Sequence, residues 1–480
     1  MPAINLSSIS EISQTDLKEM DRTSVLHPST NIADFAAGRL TSTIVDTASG
    51  VRIRDNEGRE LIDGFAGLYC VNIGYGRAEV AGAIARQAHK LAYFHTYAGH
   101  STDELIRLSD RLIKMAPASY DGGKFQRVFY GTSGSDANET QAKLVWYYHN
   151  LIGKPKKKRI LARERAYHGN TVMAGSMTGL NFYHNFMDLP IAAIIRTGAP
   201  HHYWGAEPGE SEEQFSARRA SELEALILNE DPETIGAFIG EPVLGTGGLV
   251  PPPRGYWQAI QTVLRKYNIL LIADEVITGF GRTGRMFGSE LYGIQPDLVT
   301  LAKGLTSAYA PLSAVLVGER VYRAMEAGSA EAGVFPHGYT YTGHPIGVAA
   351  ANANLDILQR EDLTSNAAEV GAYMLASLHD AFDGLPITGE VRGAGLMLAV
   401  EFVADPATKR RLDPALKVAY RISALAREKG LITRAMPQSE AIGFAPPLVL
   451  TRAEADEIVS IAAASTRQVI GDLTREGALG

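Results

Sequence analysis

The sequence predicts an α/β protein: a largely parallel sheet with helices on both faces, followed by a smaller α+β lobe. Three observations carry this. Short aliphatic runs recur through the middle of the chain with no polar alternation, which is how strands buried on both faces read. Amphipathic stretches of helical period lie between several of these runs. Beyond Pro345 the texture changes, and helices and strands cease to alternate.

In chain order, the runs are "RVFYG" from Arg127, "RILARE" from Arg159, "IGAFIGEPV" from Ile235, "NILLIADEV" from Asn268, "DLVTLAKG" from Asp297 and "LSAVLVG" from Leu312. "ESEEQFSARRASELEALILNE" and "RGYWQAIQTVLRKYN" are helical connections between them. The last two runs are joined by too little chain for a helix, so an irregular or antiparallel strand is expected there. After Pro345, "GVAAANANLDILQ" and "NAAEVGAYMLASLHDAF" read as helices, and "ITGEVRGAGLMLAVEFV" as a glycine-punctuated hairpin. The expected division is an N-terminal segment (1–70) packing with the small lobe, a large domain (71–345) and a small C-terminal α+β domain (346–480). The place of the first segment rests on analogy rather than pattern.

Composition narrows the function classes. The 480 residues, 45% hydrophobic and 21% charged, are those of an ordinary folded chain. A net charge of −7 disfavours nucleic acid or an anionic membrane as the main partner. The single cysteine, Cys70, cannot form an internal disulfide, and the opening residues lack a secretory pattern, so a cytoplasmic protein is expected. No apolar stretch approaches the ~20 residues of a membrane span. "KPKKKR" from Lys154 reads as a solvated loop rather than a nucleic-acid patch.

Ligands of open parallel sheets bind at the carboxyl ends of the strands, and three such ends carry unusual residues. After the first, "TSGSDANETQ" offers small residues and a helix start near Ser135, with Ser133 and Asp136 as a capping box. Such a terminus favours phosphate, although a plain capped helix explains these residues as well. The nucleophile elbow G-x-S-x-G fails because Ser135 stands where glycine is needed, and no Walker loop occurs. The second end is Asp274 with Glu275 beside it; alternation lets only one of the two face a given ligand. The third is Lys303, at the end of an aliphatic run, where burial would disfavour the ammonium and yield a nucleophile for carbonyls. An anion cradle, a carboxylate and a lysine on one sheet are what pyridoxal 5′-phosphate requires. No metal-ligand spacing competes with them; "HHYW" from His201 offers only adjacent histidines.

From about Arg39 to beyond Arg452 the chain resembles the class III (ω-amino acid) aminotransferases, pyridoxal-phosphate enzymes of fold-type I, on "LLIADEVITGFGRTG" followed by "PDLVTLAKGL". The resemblance implies a mostly parallel, seven-stranded type of sheet in the large domain. It implies that Lys303 forms the internal aldimine and that Asp274 pairs with the pyridine nitrogen. Val276, two residues on and on the same strand face, would pack against one side of the ring. In "AYHGNT", Tyr167 would stack on the other side, with His168 adjacent. Gly134 and Ser135 match the phosphate cradle, assisted by Ser133. "HGYTYTGHP" matches a segment crossing a homodimer, or a tetramer built from it, so that Thr340 binds the neighbour's phosphate and Tyr339 lines its substrate pocket.

Within the family, "DGFAGLYCVNIGYGR" resembles the subgroup that transfers amino groups from amines or ω-amino acids to pyruvate, with Tyr69 lining the pocket. Tyr97 is a further candidate for the pocket wall. Arg434, in "LITRAMPQSE", matches the mobile arginine that grips the acceptor carboxylate, a role suited to a guanidinium fork. Ornithine- and γ-aminobutyrate-type relatives carry glutamate where "EPVLGTGG" has Thr246, which leaves Arg434 without that partner and expected to swing outward. The resemblance thus implies transamination through pyridoxamine phosphate, with a small-molecule amine donor and a 2-oxo acid acceptor. An aminomutase or decarboxylase of the same fold, a silent cofactor-binding scaffold and a serine hydrolase built on "TSGSD" are the rivals.

Overall fold

The computed structural model describes residues 14–40 and 42–479. Three short strands come first: β1 (Val45–Ser49), β2 (Arg52–Asp55) and β3 (Glu60–Asp63). Seven more make the central sheet: β4 (Phe125–Gly131), β5 (Arg159–Arg163), β6 (Ile194–Thr197), β7 (Ile235–Gly240), β8 (Leu270–Asp274), β9 (Leu298–Leu301) and β10 (Ser313–Gly318), in the order β4-β10-β9-β8-β7-β5-β6. β10 alone runs against the rest, pairing antiparallel with both β4 and β9. The short connection from β9 leaves no room for the crossover that a parallel partner needs.

The sheet is buried from both sides, and strand alternation divides its residues between two cores. Ile160 and Ala162 of β5, Ile239 of β7 and Ile272 of β8 pack with Leu144 and Val145 of the Gly134–Leu151 helix. Leu161, Phe238 and Leu271, their neighbours in sequence, pack the other way with Trp257, Ile260 and Leu264 of the Tyr256–Lys266 helix. Each aliphatic side chain buried in this way contributes about 1.5–3 kcal/mol. β6 was not among the runs singled out in the sequence, because this short edge strand is only half aliphatic and ends on the half-buried Arg196 and Thr197. The basic stretch from Lys154 also departs from expectation. Lys157 is buried, its ammonium donating to the carbonyls of Ile235 (3.2 Å) and Tyr267 (3.0 Å), so that one of these charges ties strand ends together.

The C-terminal part contains β11 (Thr388–Ala394), β12 (Met397–Phe402), β13 (Leu431–Ile432), β14 (Arg434–Ala435) and β15 (Ala441–Phe444). Four of them form an antiparallel sheet, β11-β12-β15-β14, against which the Leu363–Phe382 helix packs; that helix packs in turn on the Arg452–Arg475 helix. β13 instead pairs parallel with β3, Leu431 opposite Ile62, and so joins the opening strands to the C-terminal part. The β11–β12 turn at Gly395 (φ +56°) lies against the loop after β8, where a Cβ would fall 2.6 Å from the Arg282 carbonyl. Only glycine permits both that φ and that approach.

Candidate active site

The strand register brings the three unusual strand ends to one edge. Asp274, the last residue of β8, lies opposite Thr300 of β9, and Lys303 follows three residues later. Gly131, the last residue of β4, faces Ser313 at the start of the reversed β10. The loop after β4 and the first turn of the Gly134–Leu151 helix therefore border Asp274.

Asp274 is buried and held by three groups. Its Oδ2 accepts from Asn138 Nδ2 (2.9 Å) and lies 2.7 Å from His168 Nδ1; its Oδ1 accepts from the Val276 N–H (3.1 Å). The His168 bond places the proton on Nδ1 by inference from geometry. Asn138 also donates to the His168 carbonyl (2.8 Å) and accepts from Thr300 Oγ1 (2.8 Å), which Gln141 Nε2 approaches at 3.1 Å. Glu275 turns away, accepting from the N–H groups of Gly288 (2.9 Å) and Ser289 (2.6 Å) and from the Thr278 hydroxyl. Val276 differs from the expectation. β8 stops at Asp274, so Val276 sits in the following turn, its methyl groups 3.1–3.2 Å from where a Cβ on Gly134 would stand.

Lys303 opens a short turn after β9 at φ +44°, a left-handed conformation that a non-glycine residue adopts only under constraint. Its side chain keeps partial exposure, and its Nζ lies 5.4 Å from the centre of the Tyr69 ring. Among the described residues no carboxylate pairs with it. Burial lowers its pKa below that of an ordinary lysine; Cys70 and Asp274 oppose the shift and Arg434 reinforces it. A reachable amine whose charged form is disfavoured by burial is suited to act as a nucleophile.

The Gly134–Leu151 helix begins one residue earlier than expected, capped by Ser133, whose Oγ accepts from the Asp136 N–H (3.2 Å) in a complete capping box. The N–H groups of Gly134 and Ser135 have no acceptor within the helix. Ser135 Oγ accepts from the Asn170 N–H (3.2 Å), which docks the loop containing Tyr167 and His168 onto this turn. Tyr167 is half-buried, and burial, with Tyr183 adding to it, pushes its phenol up to about 12. Tyr69 is almost completely buried, its hydroxyl without a hydrogen-bond partner; burial raises its pKa, opposed chiefly by the charge of Arg434. Arg434 does not swing outward. On β14 its guanidinium lies 5.7 Å over the Phe65 ring, directed at Tyr69, and among the described residues no carboxylate pairs with it. Thr246 is buried in the loop after β7.

Three predicted residues lie apart from Lys303. Tyr339 donates to the Asp136 carbonyl (3.0 Å) at the first turn of the same chain's helix. Thr340 is exposed, its carbonyl accepting from Tyr93 (2.6 Å), and the exposed Tyr97 abuts Gly338. The hydrogen bonds and ring contacts of Thr340 and Tyr97 stay within the 93–100 and 337–344 segments. Two residues of the site were missed in the sequence. Asn138 is a fully buried amide on the inner face of its helix, with Gln141, also fully buried, one turn on. Glu241, which ends an aliphatic run as Asp274 does, accepts from the Gly245 N–H (3.1 Å), and burial raises its pKa.

These residues fit pyridoxal phosphate. The helix terminus offers unpaired N–H groups for a phosphate, Lys303 offers an unpaired amine, and His168 Nε2 is buried without a partner beside Asp274. The fold and site together define a pyridoxal-phosphate enzyme of fold-type I. The comparisons with known proteins narrow this further. The family model "Aminotransferase class-III" matches residues 35–464. An uncharacterized aminotransferase of Sinorhizobium fredii is 64% identical, covering 96% of this chain and 98% of its own. The diaminobutyrate–2-oxoglutarate transaminase of Halomonas elongata is 54% identical over 97% of this chain and 98% of its own. The ω-transaminase of Pseudomonas jessenii, solved in complex with PMP, superposes with a TM-score of 0.90 at 40% identity, covering 97% of this chain and all of that one. The chain belongs to the class III aminotransferases and is a pyridoxal-phosphate-dependent enzyme. Among the described residues no helix is long and apolar enough to cross a membrane, and no group of three or more His, Cys, Asp or Glu could hold a metal ion.

Proposed function

We propose that the protein moves an amino group from a primary amine or ω-amino acid to pyruvate or a similar 2-oxo acid. The observation that carries this reading is Arg434, over the Phe65 ring and directed at Tyr69, with no carboxylate paired to it among the described residues. One guanidinium suits an acceptor with one carboxylate and leaves the pocket open to donors that have none near the amine.

In this reading Gly134 and Ser135, with Ser133, would hold the cofactor phosphate; Asp274, oriented by His168, would keep the ring nitrogen protonated; and Tyr167 and Val276 would hold the ring. Bound pyridoxal phosphate supplies the electron sink for the pair left on the donor carbon. Lys303 would hold the cofactor through its amine and, once free, would carry the proton to and from that carbon. Tyr69 and Thr246 bound the substrate space. Tyr97, Tyr339 and Thr340 lie on exposed or half-buried segments, which suits contributions to a second subunit's site in a homodimer. The lone thiol suits a cytoplasmic setting.

A second reading replaces pyruvate with 2-oxoglutarate, as in the name of the Halomonas relative. Separate half-reactions decide between them. Holoenzyme reduced with borohydride should carry its cofactor on Lys303, and Lys303→Ala should lose turnover. Amine-treated enzyme should then convert pyruvate to alanine faster than 2-oxoglutarate to glutamate; the reverse order favours the second reading. Carbon dioxide release without amino transfer would overturn both.

A further inference from the structure

The most unusual backbone in the molecule lies between β3 and the site. Ala66, Gly67, Leu68 and Tyr69 all have positive φ, at 46°, 53°, 73° and 64°. L-residues visit this region singly, and a run of them is a left-handed helical turn. The turn is closed by Tyr69 N–H to Phe65 O and Cys70 N–H to Ala66 O, both at 2.8 Å.

What holds it is one carboxylate. Asp63, the buried last residue of β3, accepts from the Phe65 N–H (2.9 Å) through Oδ1, and from the Gly67 N–H (2.8 Å) and the Tyr75 hydroxyl (2.7 Å) through Oδ2. What the turn presents is Tyr69, its ring packed 4.4 Å from Phe65 and facing the Lys303 amine, with Arg434 over Phe65. A right-handed turn here would send the Tyr69 side chain in another direction, because side-chain direction follows the backbone. Strain of this kind persists only where its surroundings over-determine it, and it gathers at functional sites.

We infer that Asp63 is a positioning residue for substrate selection: by clamping the left-handed turn it fixes Tyr69 as the wall opposite Lys303 and so limits the bulk of the amine admitted. The inference rests on the proposed function only in taking Lys303 as the reacting amine.

The test compares holoenzymes with a small donor, n-propylamine, and a bulky one, 1-phenylethylamine. Asp63→Asn leaves one acceptor oxygen where two are needed, so its NH2 must face either the Phe65 or the Gly67 N–H. It should raise the bulky-to-small ratio of kcat/KM by about tenfold, mainly through KM, and Tyr69→Ala should do the same. The double variant should then show no further gain. Tyr75→Phe, which removes one of the three donors holding Asp63 and keeps its two bonds to the turn, should loosen the clamp and shift the ratio about threefold in the same direction. Calorimetric binding of 4-phenylbutyrate, which needs no turnover, should tighten in step. Equal losses for both donors in Asp63→Asn, or multiplicative effects in the double variant, overturn the inference. Should Asp63→Asn not fold, an unchanged ratio in Tyr75→Phe overturns it. If the wild type turns over neither amine, the primary-amine donor falls from the proposed function, while the phenylbutyrate titration still tests Asp63.

Discussion

Asn138 has no hydrogen-bonding atom to spare. One amide hydrogen goes to the His168 carbonyl, which can only accept, so the NH2 group must face that way and its second hydrogen reaches Asp274. The amide oxygen is left to take the Thr300 hydroxyl. This chain of bonds fixes the Asp274 carboxylate, in the proposed reading for a ring nitrogen, and it does so from a helix and a strand that are far apart in sequence. Asn138→Ala should lower kcat at least ~10-fold in holoenzyme, since loss of a hydrogen bond to a charged group costs about 1.5–3 kcal/mol. Thr300→Ser should keep wild-type kcat, while Thr300→Val, of similar shape but without the hydroxyl, should not. Measuring the urea midpoint of each variant separates positioning from loss of stability. A kcat unchanged in Asn138→Ala would show that Asp274 needs only His168 and Val276.

At the scale of elements, adjacent acids at one strand end serve different structures. Asp274 meets Asn138 and His168, whereas Glu275 closes the loop that leads to Gly288 and Ser289 and is fully buried there. Glu275→Ala would strand two buried N–H groups, and a loss of roughly 3 kcal/mol is expected. Chemical denaturation checks this, and KM for both substrates should stay near that of the wild type. A large KM change with intact stability would move Glu275 into the site. The aliphatic strand and the capping box were legible as periodicity and spacing. The turn from Ala66 to Tyr69 was not, because nothing in "AGLY" itself demands positive φ and an aspartate ahead of it can cap a turn of either hand; Asp63 holds this one through the Phe65 and Gly67 N–H groups.

The whole molecule carries buried histidines whose titration ties stability to pH. Burial, reinforced by Arg392, Arg165 and Arg411, holds His201 down from 6.5 to about 2. Burial also lowers His149 from 6.5 to about 4, although its bond to the Gly236 carbonyl works against the shift. Between the folded and unfolded values the unfolded chain binds a proton that the native state refuses. Their stabilisation is therefore complete above 6.5 and declines as pH falls through the acid range. By a pH of about 5.5 His201 alone removes about 1 kcal/mol. The urea midpoint should be lower at a pH of about 5.5 than at about 7.5, and His201→Gln should narrow the gap. A midpoint that does not move would show that these groups are hydrated in the native state.

The sequence by itself determined the layered architecture, a break in the parallel pattern at the last strand of the sheet, and Lys303 and Asp274 as the chemical residues to examine; the structure decided that this break is the antiparallel β10. Hydrophobic period, loop length and the rarity of charge at the end of a buried run are local properties that survive in one dimension. The β3–β13 pairing, the inward aim of Arg434, Val276 lying beyond its strand, the Asn138 chain and the burial of Lys157 were decided only in the tertiary structure. Each depends on which atoms meet across long separations, and a polar residue's role is set by the partner it meets rather than by its neighbours in sequence.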